Sequence, residues 1–92
     1  MIPNQDRNIF IAAIGKWGVE AQIDQAIEEA AELIVALRHM ARDRPTDIFG
    51  EIADISIMVD QLKIIFGEEA SRKARDKKIL RLQKRVVNNE AV

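Results

Sequence analysis

Apolar residues recur along the chain in steps of three and four, broken at a few glycines and one proline. Between residues 19 and 42, Ile23, Ala26, Ile27, Ala30, Leu33, Ile34, Leu37 and Met40 follow this rhythm. At 100° per residue they fall on one side of a helix. The pattern therefore predicts a helix from about Val19 or Glu20 to Arg42, with that stripe against the core. A later helix, from Asp47 to about Phe66, has two apolar faces. Ile48, Ile52, Ile55, Val59, Leu62 and Phe66 form one, with Met58 at its margin, and Phe49, Ala53, Ile57 and Ile64 form the other. A shorter pattern from about Gln5 to Ile14, with Asn4 as its cap, predicts a first helix ended by Gly15 and Gly18. The last helix, from about Glu68 to Val87, has only a narrow stripe of Ile79, Leu80, Leu82, Val86 and Val87, and Asn88 to Val92 is expected to fray.

Arg42, Asp43, Arg44 and Pro45 close the second helix. Thr46 is the expected N-cap of the third and Gly67 the expected C-cap that ends it. So short a connection produces antiparallel neighbours. The expected architecture is all-α, a small antiparallel bundle of about four helices in one domain. A third helix that is apolar on both sides needs covering on both. In a 92-residue chain the second cover is expected to come from another subunit, making a homo-oligomer.

Composition narrows the chemistry. Hydrophobic residues make up 48% of the chain and aromatic ones 4%, so the core is built by aliphatic side chains. The absence of cysteine excludes disulfides and thiolate metal sites, and a single histidine argues against zinc. Any metal must be held by oxygen. The opening MIPNQDR lacks the basic-then-apolar order of a signal peptide, and no apolar run approaches the roughly 20 residues of a membrane span. A soluble, cytoplasmic protein without membrane partners is expected.

Net charge is only −1, yet it is unevenly spread. Residues 20–60 hold ten acids against three arginines, whereas residues 72–85 hold eight Lys and Arg against one acid, Asp76. Within the acidic part, Glu29 and Glu32 are spaced like Glu51 and Asp54, three apart, which aims each pair to one side of its helix. Glu29 sits at the edge of the apolar stripe, with Glu32 about 60° further round, so Gln22, Gln25, Glu29, Glu32 and Ala36 form one seam between core and solvent. Across an antiparallel turn, the two acidic pairs would converge. Mg²⁺ prefers oxygen ligands in octahedral geometry and is usually shared with phosphates, with Mn²⁺ as a substitute. The carboxylates thus point either to metal-assisted cleavage of a phosphate substrate or to a solvated acidic rim neutralised by the basic fourth helix. Glu28, about 100° from Glu29 on the helical wheel, would orient a water or face solvent.

Glu28, Glu29 and Glu32 as EExxE, then a short helical turn and Glu51 and Asp54 as ExxD, resemble the MazG-like all-α nucleoside triphosphate pyrophosphohydrolase superfamily. The similarity covers about residues 15–85. The preceding KWGVEAQIDQAIEE is similar to small single-domain, phage-type members. The resemblance implies a helical dimer or tetramer that hydrolyses an NTP or dNTP to NMP and pyrophosphate with Mg²⁺. Glu29, Glu32, Glu51 and Asp54 would be metal ligands, and Lys77, Lys78 and Arg81 would meet the phosphates, from a neighbouring subunit if need be. Trp17 and Gln22 would contact the base, although Trp17 reads first as a packing plug between helices.

Other readings compete. Phosphoribosyl-ATP pyrophosphohydrolases share the carboxylates but usually place a histidine soon after ExxD, where this chain has Ile57 and Met58. A non-enzymatic oligomer would bind nucleic acid through the basic fourth helix, against which stand the negative net charge and the lack of interleaved aromatics. His39 is expected to face solvent as a cationic partner of its helix C-terminus.

Overall fold

Where each helix starts and stops follows from a few backbone groups. In the computed structural model, which describes residues 1–88, there are four helices: α1 (Asn4–Trp17), α2 (Val19–Ala41), α3 (Ile48–Phe66) and α4 (Glu68–Val87). The described residues contain no strand. The expected all-α class is the observed one. The fraying expected of Asn88 to Val92 lies, from residue 89 onward, outside the described residues.

Both ends of α1 differ from the expectation. Gly15 does not stop α1, because a helical glycine costs only about 1 kcal/mol relative to alanine and does not forbid the helix. The break comes at Gly18, whose φ of +93° a side chain would strain, and whose N–H still donates to the Ile14 carbonyl at 2.8 Å. At the other end of α1, Asn4 is the first helical residue and Pro3 precedes it. The Asn4 Oδ1 accepts from the Arg7 guanidinium at 2.8 Å instead of capping the backbone.

The turn between α2 and α3 is tightly determined. The Arg44 N–H donates to the His39 carbonyl at 2.8 Å and the Asp43 N–H to that of Met40 at 3.1 Å, with Asp43 at φ +55°. This is a Schellman motif with aspartate in the left-handed position, a residue type that tolerates it. The cap of α3 is Asp47 rather than Thr46: its Oδ1 accepts from the Gly50 N–H at 3.1 Å. A methyl group on Gly50 would collide with that same carboxylate, so glycine leaves room for the cap.

α2 and α3 run side by side, antiparallel, and form the packed centre; α1 rests on both, and the backbone of α4 approaches α3 alone. A bidentate pair from Arg7 to Glu68, at 2.6 and 3.2 Å, ties the start of α4 to α1.

Of the stripe expected to face the core, Ile23, Ala26, Ala30 and Leu33 are buried or half-buried, and the other four residues are exposed. Ile27 is 64% exposed and Ile34 58%, and Leu37 and Met40 are also exposed, whereas Gln22, Ala26 and Ala36 are buried and Glu29 and Leu33 are half-buried. α2 is thus rotated so that the carboxylate seam, not the centre of the aliphatic stripe, meets α3. On α3 the packed residues are Met58 and Gln61, with Glu51, Ile55 and Leu62 half-buried, and Phe49 is 82% exposed.

Little apolar surface is hidden as a result. The chain exposes 7171 Å², against about 5,400 Å² expected of a folded monomer of this mass. Its radius of gyration is 16.0 Å, against about 12 Å for a compact 92-residue domain. No helix among the described residues is long and apolar enough to cross a membrane.

Candidate metal centre

The rotation of α2 brings acids from two helices together. Glu29 of α2 and Glu51 and Asp54 of α3 each place one carboxylate oxygen within 4.8 Å of the others. Glu51 and Asp54 lie three apart and so share a side of α3. The Asp47 cap fixes where that helix begins, and with it the rotation of both. On α2, the Gln25 amide, one turn earlier, donates to Glu29 Oε1 at 2.8 Å and holds that carboxylate in place.

Two oxygens of the trio are left over. Glu29 Oε2 and Glu51 Oε2 are buried and have no hydrogen-bond partner among the described residues. A polar atom withdrawn from water without a partner is costly, the more so when charged. Oxygens on two facing helices, orphaned beside a third carboxylate, fit a hard divalent cation, which takes oxygen donors and keeps several waters.

The titration behaviour reflects the crowding. The Glu32 carboxyl is held above its usual range, first by the charge of Glu29, then by desolvation and by Glu51 and Glu28. Glu51 is also raised, first by desolvation and then by Asp54, Glu29 and Asp47. Like charges and burial both disfavour ionisation, so the seam resists holding its full negative charge.

Beside the trio lies an open cavity of about 410 Å³. Glu28, Glu32 and Glu51 form its acidic wall. Ala31, Val35 and Ala36 supply a small apolar surface, and His39 and Thr46 close it at the turn. Glu51 thus belongs to both trio and cavity. His39 is half-buried here, not turned wholly to solvent as its place in the last turn of α2 suggested. Helical spacing held the signal: His39 follows Glu32 by two turns, on the same side of α2.

Of the other residues singled out from the sequence, only Glu28 and Glu32 lie near these. Glu28 and Glu32 line the cavity but stand outside the trio. Trp17, the last residue of α1, is 59% exposed, with the Lys16 ammonium 5.1 Å from its ring centroid. Among the described residues it is not a packing plug between helices. Gln22 is buried, toward the other end of α2. Lys77, Lys78 and Arg81 are exposed on α4, whose backbone does not approach α2. Lys77 and Arg81 instead border a shallow cleft with Leu80 and Lys84. No protein-family model, no curated protein and no solved structure matches the chain, so what the comparisons leave standing is a small all-α protein of four helices.

Proposed function

We propose that this chain is a divalent-cation-dependent nucleoside triphosphate pyrophosphohydrolase, acting as a homodimer or homotetramer. The observation that carries the reading is the Glu29, Glu51 and Asp54 trio, drawn from two helices, with two buried oxygens that no group among the described residues satisfies. Mg²⁺, or Mn²⁺ in its place, would offset phosphate charge and acidify an attacking water there. Water adds to the α-phosphorus, the α–β P–O bond breaks, and pyrophosphate leaves with the bonding electrons.

The chain's own groups divide the remaining work. Glu29, steadied by Gln25, acts with Glu51 and Asp54 as ligands, and Glu32 is the fourth. Glu28, exposed at the cavity mouth, orients the water. Lys77, Lys78 and Arg81 would reach the phosphates from a neighbouring subunit, because within one chain they stand away from the seam.

A panel of NTPs and dNTPs, assayed with Mg²⁺ and with EDTA, tests this directly. NMP plus pyrophosphate, lost with EDTA, is the expected outcome. NDP plus orthophosphate would put the cleaved bond elsewhere, and no turnover would sink the reading. A second reading, nucleic-acid binding by α4, draws on the exposed cleft of Lys77, Arg81 and Lys84. It is supported if salt-sensitive binding of DNA or RNA appears without any NTP turnover.

A further inference from the structure

The cavity beside the trio has a polarity of its own. Its wall holds three carboxylates and no Lys or Arg. Phosphates would approach its Glu32 and Glu51 side only with the cation those carboxylates would hold, whereas the side formed by Ala31, Val35, His39 and Thr46 has no carboxylate and no Lys or Arg. An uncharged group would not be repelled. Ala31 and Val35 present a small apolar surface four residues apart on one side of α2, and His39 and Thr46 lie at the far end with a ring nitrogen pair and a hydroxyl, each able to donate and accept. About 410 Å³ is room for a small molecule, and an apolar wall with few polar groups at one end is the usual build of a ligand pocket. Because Glu51 faces both, a ligand whose phosphates lie at the trio would extend its uncharged part into this cavity.

We infer that the cavity between Glu51 and the α2–α3 turn is the nucleoside subsite, with the base and sugar against Ala31 and Val35 and the base edge read by His39 and Thr46. The inference rests on the pyrophosphohydrolase reading and fixes the direction of the substrate within it. The nucleoside points along α2 toward the turn, away from Trp17 and Gln22. His39 lies seven residues beyond Glu32, about 10 Å along the helix axis. Trp17 lies on the other side of Glu29, beyond the break at Gly18.

Two variants and one binding measurement test this. Ala31 is exposed, so Ala31→Trp fills the cavity without disturbing packing, and His39→Ala removes the base-reading ring. Both are expected to raise the KM for the preferred nucleotide roughly tenfold, the worth of one good hydrogen bond or lost contact, with kcat little changed, because they remove uniform binding. Separately, adenosine, guanosine, cytidine, uridine and thymidine are titrated into the full chain in EDTA and followed by amide NMR. Shifts at Ala31, His39 and Thr46 are expected with at least one of them. Shifts clustered at Trp17 and Gln22, or no shifts at saturating nucleoside, would overturn the subsite. EDTA-sensitive hydrolysis with KM unmoved in both variants would overturn it too, leaving the reaction intact. If nucleosides shift the cavity residues but no nucleotide is hydrolysed, the subsite stands and the reaction falls.

Discussion

The α2–α3 hairpin and α4 handle charge and packing in opposite ways. The hairpin turns carboxylates inward: Glu29 and Glu51 are half-buried with unpartnered oxygens, while Ile27, Ile34 and Phe49 face solvent. α4 turns every charge outward, buries no residue, and balances part of its charge along its own length through Arg72, which pairs with Glu69 at 2.6 Å and Asp76 at 2.9 Å. Exposed pairs of this kind contribute little to stability. A helix can be held lightly where it only carries charge. Where acids are forced together their charges oppose one another, and the aliphatic residues left outside are the surface on which the proposed second copy would sit.

Removing the crowded acids should have the largest effect. Asp54→Ala or Glu51→Ala is expected to lower Mg²⁺-dependent turnover by more than the roughly 10–100-fold that loss of a supporting outer-shell group costs. The helices, watched by circular dichroism, should persist in EDTA. Full turnover in either variant would leave the inward acids without a catalytic role.

The exposed stripes come next. Ile34→Glu and Phe49→Glu should each push the protein toward monomers in sedimentation and lower its stability by about 1.5–3 kcal/mol per subunit if the side chain is buried between copies. A monomeric wild type, indifferent to both changes, would show that the stripes are merely exposed.

Charge reversal on α4 sharpens the contrast from the other side. Lys77→Glu, Lys78→Glu and Arg81→Glu combined should raise the KM for a nucleoside triphosphate severalfold if, as proposed, α4 of one copy serves the seam of another. An unchanged KM, read from initial rates, would remove α4 from the reaction. Asp47→Ala takes away the α3 cap and should cost about 1 kcal/mol in thermal unfolding. Because that cap sets the start of α3, activity should fall with it.

The smallest effect is a slope rather than a step. Glu32 and Glu51 titrate above their unfolded range, so they contribute stability at pH values below the unfolded pKa and lose it as pH rises through their raised folded values. Glu68 and Glu69, lowered by their hydrogen bonds to Arg7 and Arg72, behave in the opposite sense and lose their contribution as pH falls through their depressed values. Metal-free protein should therefore be most stable at mildly acidic pH. Glu32→Gln and Glu51→Gln should flatten the fall toward neutral pH in EDTA, and salt should flatten it as well. A stability profile in EDTA that rises monotonically to neutral pH would count against crowding in the seam.

The periodic spacing of the apolar residues made all four helices legible, because 3.6 residues per turn leaves its mark on any amphipathic helix. It placed the ends of α2, α3 and α4 closely, since Pro45 and Gly67 act locally. It misjudged α1, because whether a glycine such as Gly15 ends a helix depends on what the neighbouring backbone can still bond to. The paired spacing of Glu29 with Glu32 and of Glu51 with Asp54 was equally legible. It did not reveal that Glu29, Glu51 and Asp54 form the close trio, with Glu32 beside it, or that His39 and Thr46 close a cavity next to them. Those facts depend on the rotation of α2 about its own axis. A stripe spanning more than 100° leaves that angle open, and it is decided only when α3, fixed by the Asp47 cap and the Schellman turn, packs against one edge of the stripe rather than its centre.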